Sequence, residues 1–158
     1  MRPVSSHNYF IDDYNTWNGL LVMSGIERSA EASNSIYMNS EKTAGLWFGG
    51  IDDLWKLGKP VGCGGPWMNT SVKEGELSDP YLMTGYDKKT LTLQADCDVK
   101  VTLWLSVSHY LEDKVNYKEF GLKAGETITY VFPEGFSAHW AYFSADKDCK
   151  ATAQFLYE

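Results

Sequence analysis

Tryptophans and adjacent carboxylates are concentrated in one short stretch, GLWFGGIDDLWKLGKPVGCGGPW, which runs from Gly45 to Trp67. Its chemically distinctive residues are Trp47, Trp55, Trp67, Asp52 and Asp53. Flat indole faces suit the C–H faces of sugar rings, and a few polar neighbours can hold the sugar hydroxyls without a net charge on the ligand. The stretch therefore predicts a surface that binds a polysaccharide or an oligosaccharide.

Each tryptophan also has a structural interpretation, because indoles are usually well buried and a long loop needs anchors. Trp47 lies between Leu46 and Phe48, and we assign it to a core. Trp55 and Trp67 are the predicted platform residues. The predicted ligand-binding set is Trp55, Trp67, Tyr81, Asp52 and Asp53.

Acidic pairs raise an enzymatic alternative, a small glycan-active hydrolase or lyase. Glycosidic cleavage needs two carboxylates about 5–5.5 Å or about 6.5–9.5 Å apart. The candidate acids are Asp12, Asp13, Asp52, Asp53, Glu74, Glu76 and Asp79, and the histidines are His7, His109 and His139. Adjacent acids are more often solvated turn residues, and the histidines lack the spacing of a metal site. The sequence leaves the catalytic residues of such an enzyme unknown.

A second set of carboxylates lies at the ends of predicted strands and suggests calcium, the one cofactor that the sequence indicates. The predicted metal ligands are Asp96, Asp98, Asp146 and Asp148. Calcium takes about six to eight oxygen ligands, and sandwich loops can supply them. Ordinary Asp-rich turns are the favoured alternative.

Three cysteines, Cys63, Cys97 and Cys149, stand far apart and form no C-x-x-C pair, which argues against a zinc site. Cys97 and Cys149 each follow an acidic turn and precede a predicted strand. A disulfide between these two is the favoured bridge, and reduced, buried cysteines are an equal alternative.

From Thr90 onward the chain consists of short segments rich in Val, Thr, Leu, Tyr and Phe, separated by turn signals. The predicted strands are TLTLQA, VKVTLWLSV, YKEFGLK, ETITYVF, HWAYFSA and ATAQFLY. Residues alternate clearly from Val99 to Ser108, which is typical of an antiparallel strand with one face on a core. We predict one all-β domain over residues 1–158, an antiparallel β-sandwich of jelly-roll type, since a chain of this length can bury a real core.

The first half is less regular. Strands are predicted at Gly19–Ile26, Ser35–Ser40 and Ala44–Gly50, and Glu27–Ser33 is predicted as one helical turn or a polar loop. After Phe48 no strand or helix period persists. Residues 45–67 are therefore predicted as a long ordered aromatic loop, and Gly58–Tyr81 is predicted as an unusually long connection.

Composition narrows the classes of partner. The net charge of −7 would repel nucleic acid and anionic membranes, and no basic stripe is present to bind phosphates. No run of 18 apolar residues is present, and the first ten residues lack the apolar run of a signal peptide. We therefore expect neither nucleic acid nor membrane as a partner.

Four segments carry a resemblance: HNYFIDDYNTWNGLLVMSGI, GLWFGGIDDLWKLGKPVGCGGPW, SDPYLMTGYDKKTLTL and FPEGFSAHWAYFSADKDCKATAQFLYE. Together they resemble the C-terminal β-sandwich module of large secreted bacterial β-propeller proteins that are associated with polysaccharide use. The resemblance implies a secreted or cell-surface location, a bacterial source, an accessory role and a propeller domain as partner.

Three functions follow as hypotheses. The first is a non-catalytic carbohydrate-recognition or accessory module. The second is the glycan-active enzyme described above. The third is a structural domain whose aromatic stretch packs against a propeller or a partner subunit.

Overall fold

The computed structural model describes residues 3–6, 10–25, 36–40, 44–108 and 113–158, with residues 36–40 and 44 described as backbone. The chain divides into two compact units, residues 3–60 and residues 61–158. The single domain that the sequence predicts over residues 1–158 stays a prediction, and each unit is described by itself.

The first unit is a four-stranded antiparallel sheet followed by a short helix. Its strands are β1 (Asp13–Trp17), β2 (Leu20–Ser24), β3 (Ile36–Ser40) and β4 (Ala44–Gly49), in the order β1-β2-β4-β3. A 3₁₀ helix, Ile51–Lys56, follows β4. Asn18 and Gly19 join β1 to β2 with φ of 48° and 79°, which is the backbone that a tight hairpin turn requires.

The core of the first unit is small. Met23 on β2 and Trp47 on β4 are cross-strand partners and are both buried. The side chains packed around them are Ile11, Leu21, Leu54 and Leu57. Because Leu54 and Leu57 come from the 3₁₀ helix and its C-terminal end, that helix lies over the same face of the sheet as Met23. The assignment of Trp47 to a core is confirmed.

The second unit is a sandwich of two four-stranded sheets. Its strands are β5 (Gly62–Val72), β6 (Tyr81–Leu82), β7 (Lys89–Ala95), β8 (Val99–Ser106), β9 (Val115–Leu122), β10 (Thr127–Val131), β11 (Trp140–Ala145) and β12 (Cys149–Tyr157). The sheet orders are β10-β7-β12-β5 and β6-β11-β8-β9, with antiparallel pairing throughout. The predicted all-β antiparallel fold is confirmed.

One continuous core fills the second unit. Val99, Val101, Leu103 and Leu105 of β8 point into it, as their alternation predicts. Phe143 on β11 packs against Trp67 and Phe155 of the other sheet, with ring centroids 5.6 Å and 5.8 Å apart. All six strands that the sequence predicted after Thr90 are present in the structure.

The predicted long aromatic loop at residues 45–67 is wrong, because the structure forms β4, the 3₁₀ helix and the start of β5 there. Strand β5 has 11 residues against 9 in its partner β12, and the register shifts twice between Ala151 and Phe155. These irregularities remove the alternation by which a strand is recognised. Gly64 and Gly65 weaken the alternation further, because they carry no side chain to show which face of the strand is buried.

Other predictions lie outside the described residues. Glu27–Ser33, predicted as a helical turn or loop, is one of them, and so are His7 and His109. In the ranges that the structure does describe, no helix has the length and hydropathy needed to cross a bilayer.

Candidate functional site

The 3₁₀ helix Ile51–Lys56 carries three of the predicted ligand-binding residues, and Asp53 is the one that holds it together. The Gly50 N–H donates to Asp53 Oδ2 at 2.9 Å, and Lys56 Nζ donates to Asp53 Oδ1 at 2.6 Å. The Lys56 bond first, and the Gly50 bond second, hold the pKa of Asp53 below its ordinary value. Asp53 therefore has a structural role in this helix, which its prediction as a ligand-binding residue did not include.

Asp52 and Trp55 lie three residues apart on the same helix. A 3₁₀ helix has 3.0 residues per turn, so side chains at i and i+3 lie on the same side of it. Asp52 is exposed, and 49% of Trp55 is exposed. A carboxylate that accepts hydrogen bonds is thus placed one turn from a half-exposed indole, which are the two elements that sugar recognition needs.

Trp67 does not belong to an exposed platform. Only 4% of it is exposed, and its ring packs against Phe143 in the core of the second unit. Its carbonyl oxygen accepts a 2.7 Å bond from Gln154 Nε2, which fixes β5 against β12. This burial corrects the interpretation of Trp67 as a ligand-binding residue, because its indole face has no open side for a sugar.

Tyr81, the fifth predicted ligand-binding residue, belongs to a stack of aromatic rings in the second unit. Its ring lies parallel to that of Phe155 at 5.6 Å, and Tyr157 continues the stack at 6.3 Å. Burial raises the pKa of the Tyr81 phenol. A side chain at Gly64 would collide with the Tyr81 hydroxyl, so the glycine is required for this packing.

The four predicted calcium ligands each accept a hydrogen bond from a backbone N–H of a segment that is distant in the chain. Asp96 and Asp146 accept from Lys150 and Lys100, both at 2.8 Å. Asp98 and Asp148 accept from Ala124 at 3.0 Å and Glu74 at 2.9 Å. These bonds join segments that are distant in the chain, which is a structural role for the four carboxylates.

In the described part of the chain, no three His, Cys, Asp or Glu side chains are grouped closely enough to hold a metal ion. Of the three histidines, the structure describes His139, whose ring packs beside Trp140 with centroids 5.1 Å apart. The calcium site therefore remains a prediction.

Acid should destabilise the second unit through Asp98 and Asp148. The bonds from Lys123 and Lys73, and then those from the backbone N–H groups, hold both pKa values below the ordinary 3.8. Each carboxyl group has a lower pKa in the folded state than in the unfolded state. Its contribution to stability is therefore complete above the unfolded-state pKa and is lost as the pH falls through the folded-state pKa. The loss should begin below about pH 4.

Melting temperatures measured from about pH 6 down to about pH 2 test this. The double variant Asp98→Asn/Asp148→Asn should melt lower at neutral pH and lose less on acidification than the parent. Asp79→Asn, an exposed carboxylate whose replacement removes none of these bonds, is the control. Equal acid sensitivity of the double variant and the parent would contradict the assignment.

A cleft of about 210 Å³ also lies in the second unit, beside β5. Its charged lining consists of Lys73, Glu76 and Asp79, and Trp67 contributes to its floor. Lys73 is bound to Asp148 at 2.7 Å. With so little of Trp67 exposed, the cleft offers a sugar ring almost no stacking surface.

Trp17 is an exposed aromatic residue that the predicted binding set missed. It is 60% exposed, and its ring meets that of Phe48 edge to face at 6.2 Å. Asp13 and Asn15 are exposed on the same face of β1, since alternate residues of a strand share a face. The sequence signal that could have placed Trp17 on a strand is the dipeptide Asn18-Gly19. This dipeptide marks a hairpin and so predicts β1 directly before it.

No family model, curated protein or solved structure matches the chain. The resemblance to the sandwich module of secreted propeller proteins accordingly stays a prediction.

Proposed function

We propose that the protein is a non-catalytic carbohydrate-recognition module and that it binds glycans on the side of the 3₁₀ helix that presents Asp52 and Trp55. The observation that carries the proposal is this pairing of an exposed carboxylate with a half-exposed indole, one helical turn apart. The indole would stack on the C–H face of a sugar ring, and the carboxylate would accept hydrogen bonds from its hydroxyls.

The helix that carries the pair is fastened to the rest of the first unit, which favours binding. Asp53 bonds to Gly50 and Lys56, and Leu54 packs against the core of the first unit. A backbone that is already held in place loses little conformational entropy when a ligand binds. Aromatic residues add contact area with few torsions to freeze.

Charge indicates the class of glycan. The chain carries a net charge of −7, and the proposed site contains a carboxylate of its own. Both repel anionic sugars such as uronates and sulfated sugars. A neutral polysaccharide is therefore the expected ligand. The wider setting, a secreted accessory module working beside a propeller domain, is proposed from the sequence resemblance alone.

Trp55→Ala should weaken binding to a neutral polysaccharide by tenfold or more, because the stacking surface is lost. Asp52→Asn should weaken it less, since the amide oxygen still accepts hydrogen bonds. The melting temperature should change little, as both side chains are substantially exposed. Affinity electrophoresis against a polysaccharide panel, with melting curves for every variant, is the measurement.

Trp17→Ala is the matched control, because it removes an exposed indole of the same unit from the opposite face of the sheet. Loss of binding in Trp17→Ala with full binding in Trp55→Ala would move the site to β1. The same panel is assayed for released products: sugar products would favour the enzyme hypothesis, and absence of both retention and products would favour the interface hypothesis.

A further inference from the structure

Cys97 and Cys149 are brought opposite each other by the pairing of β7 with β12. Ala95 pairs with Ala151, and the Asp96 N–H donates to the Lys150 carbonyl at 3.0 Å. One more step of this antiparallel register, into the bend after β7, places Cys97 opposite Cys149.

The hydrogen bonds between β7 and β12 determine which kind of antiparallel pair Cys97 and Cys149 form. In antiparallel pairs, hydrogen-bonded and non-hydrogen-bonded positions alternate. Lys88 and Glu158 exchange both backbone bonds, so even-numbered positions of β7 are the hydrogen-bonded ones. Cys97 is therefore at a non-hydrogen-bonded position, where Cα atoms are about 4.5 Å apart and side chains are closest. A disulfide accepts Cα separations of about 4.4–6.8 Å.

Side-chain contacts agree with this placement. Cys97 Sγ lies 4.0 Å from the carbonyl oxygen of Asp148, the residue before Cys149. Both cysteines are half-buried, and both pack against the same core cluster. Both are free thiols in this structure. The third cysteine, Cys63, is exposed on β5.

We propose that Cys97 and Cys149 form a redox-sensitive thiol pair, which a low-molecular-weight disulfide such as oxidised glutathione converts to an intramolecular disulfide. The cross-link ties the bend after β7 to the first residue of β12. Asp96 and Asp148 already hold these same segments in place through hydrogen bonds. Oxidation therefore adds a covalent bond at an end of the sandwich that is otherwise held by exposed carboxylates.

The reaction balances as two thiol–disulfide exchanges. The Cys97 thiolate attacks one sulfur of oxidised glutathione, forming a mixed disulfide and releasing one glutathione thiolate. The Cys149 thiolate then attacks the Cys97 sulfur and releases the second. Two thiols lose two protons and two electrons, and one molecule of oxidised glutathione becomes two of reduced glutathione.

The test uses the full chain in the Cys63→Ser background, incubated folded with oxidised glutathione at about pH 8.5. Mass spectrometry of acid-quenched peptides should find Cys97 linked to Cys149, with no glutathione retained. The melting temperature should rise by about 10 °C, because the cross-link closes a long loop, and dithiothreitol should reverse the rise. Cys97→Ser and Cys149→Ser in the same background should show no such rise.

Persistent glutathione adducts on Cys97 or Cys149 of the folded protein would overturn the proposal, since a facing thiol would displace them. The proposal would also be overturned if Cys97 and Cys149 both stayed unmodified after prolonged incubation. This outcome counts when the exposed Cys63 of the parent chain reacts with oxidised glutathione in the same time. A linked peptide that appears only when urea is added would also overturn it.

Discussion

Replacing Trp67 with alanine is expected to lower the free energy of unfolding by about 3–5 kcal/mol. The indole is 4% exposed and packs on Phe143, at the centre of the contact between the two sheets of the second unit. Its removal leaves a cavity that strands on either side can close only partly. Urea denaturation followed by circular dichroism gives the free energy directly.

Trp55→Ala is the control for this prediction, and its cost should stay within about 0.5 kcal/mol, the usual range for surface substitutions. The pair of variants separates a core indole from a ligand-binding one. A Trp67→Ala protein of normal stability that has lost glycan binding would contradict the buried position of Trp67 and restore it as a platform residue.

Gly65→Ala is expected to destabilise the second unit by about 3 kcal/mol, at the upper end of the usual cost of overpacking. A Cβ atom at Gly65 would lie inside contact distance of the Ala153 carbonyl oxygen on β12. The obstacle is backbone, so no side-chain rotation relieves the clash. Strands β5 and β12 must separate locally, and their hydrogen bonds weaken.

Gly121→Ala is the matched control, because a Cβ at Gly121 on β9 meets no atom within 4 Å. Its effect should be neutral to slightly stabilising, since alanine restricts the unfolded chain more than glycine does. Thermal melting of both variants is the measurement. Equal melting temperatures for Gly65→Ala and Gly121→Ala would contradict the close approach of β5 to β12.

The second unit was largely predictable because its strands alternate as a one-sided sheet requires. Val99, Val101 and Leu103 face the core, and Lys100 is exposed between the first two, as the periodicity of the sequence predicts. Thr102 and Ser106, on the face predicted to be wetter, are buried as well. β5 was not predictable in this way. Its irregular pairing with β12 and its glycines at close contacts erase the alternation, and only the three-dimensional packing explains them.

The candidate site was predictable in its chemistry and only partly in its members. Residue type identified Trp55 and Trp67 equally, since both lie in the same glycine-rich stretch. Their exposure differs because one is on a helix over a small core, and the other is on a strand between two sheets. Such a difference depends on partners far away in the chain, such as Phe143 and Gln154, which no local pattern reveals.

The central position of β12 in the order β10-β7-β12-β5 has a consequence for biosynthesis. Strand β5 pairs with β12 and with no other named strand, and β12 is synthesised after all the other named strands. The sheet of the first unit, in contrast, has all its strands once residue 49 is made. Domains generally fold as units while they are synthesised. We therefore expect the first unit to fold cotranslationally, while β5 lacks its pairing partner until β12 has been synthesised.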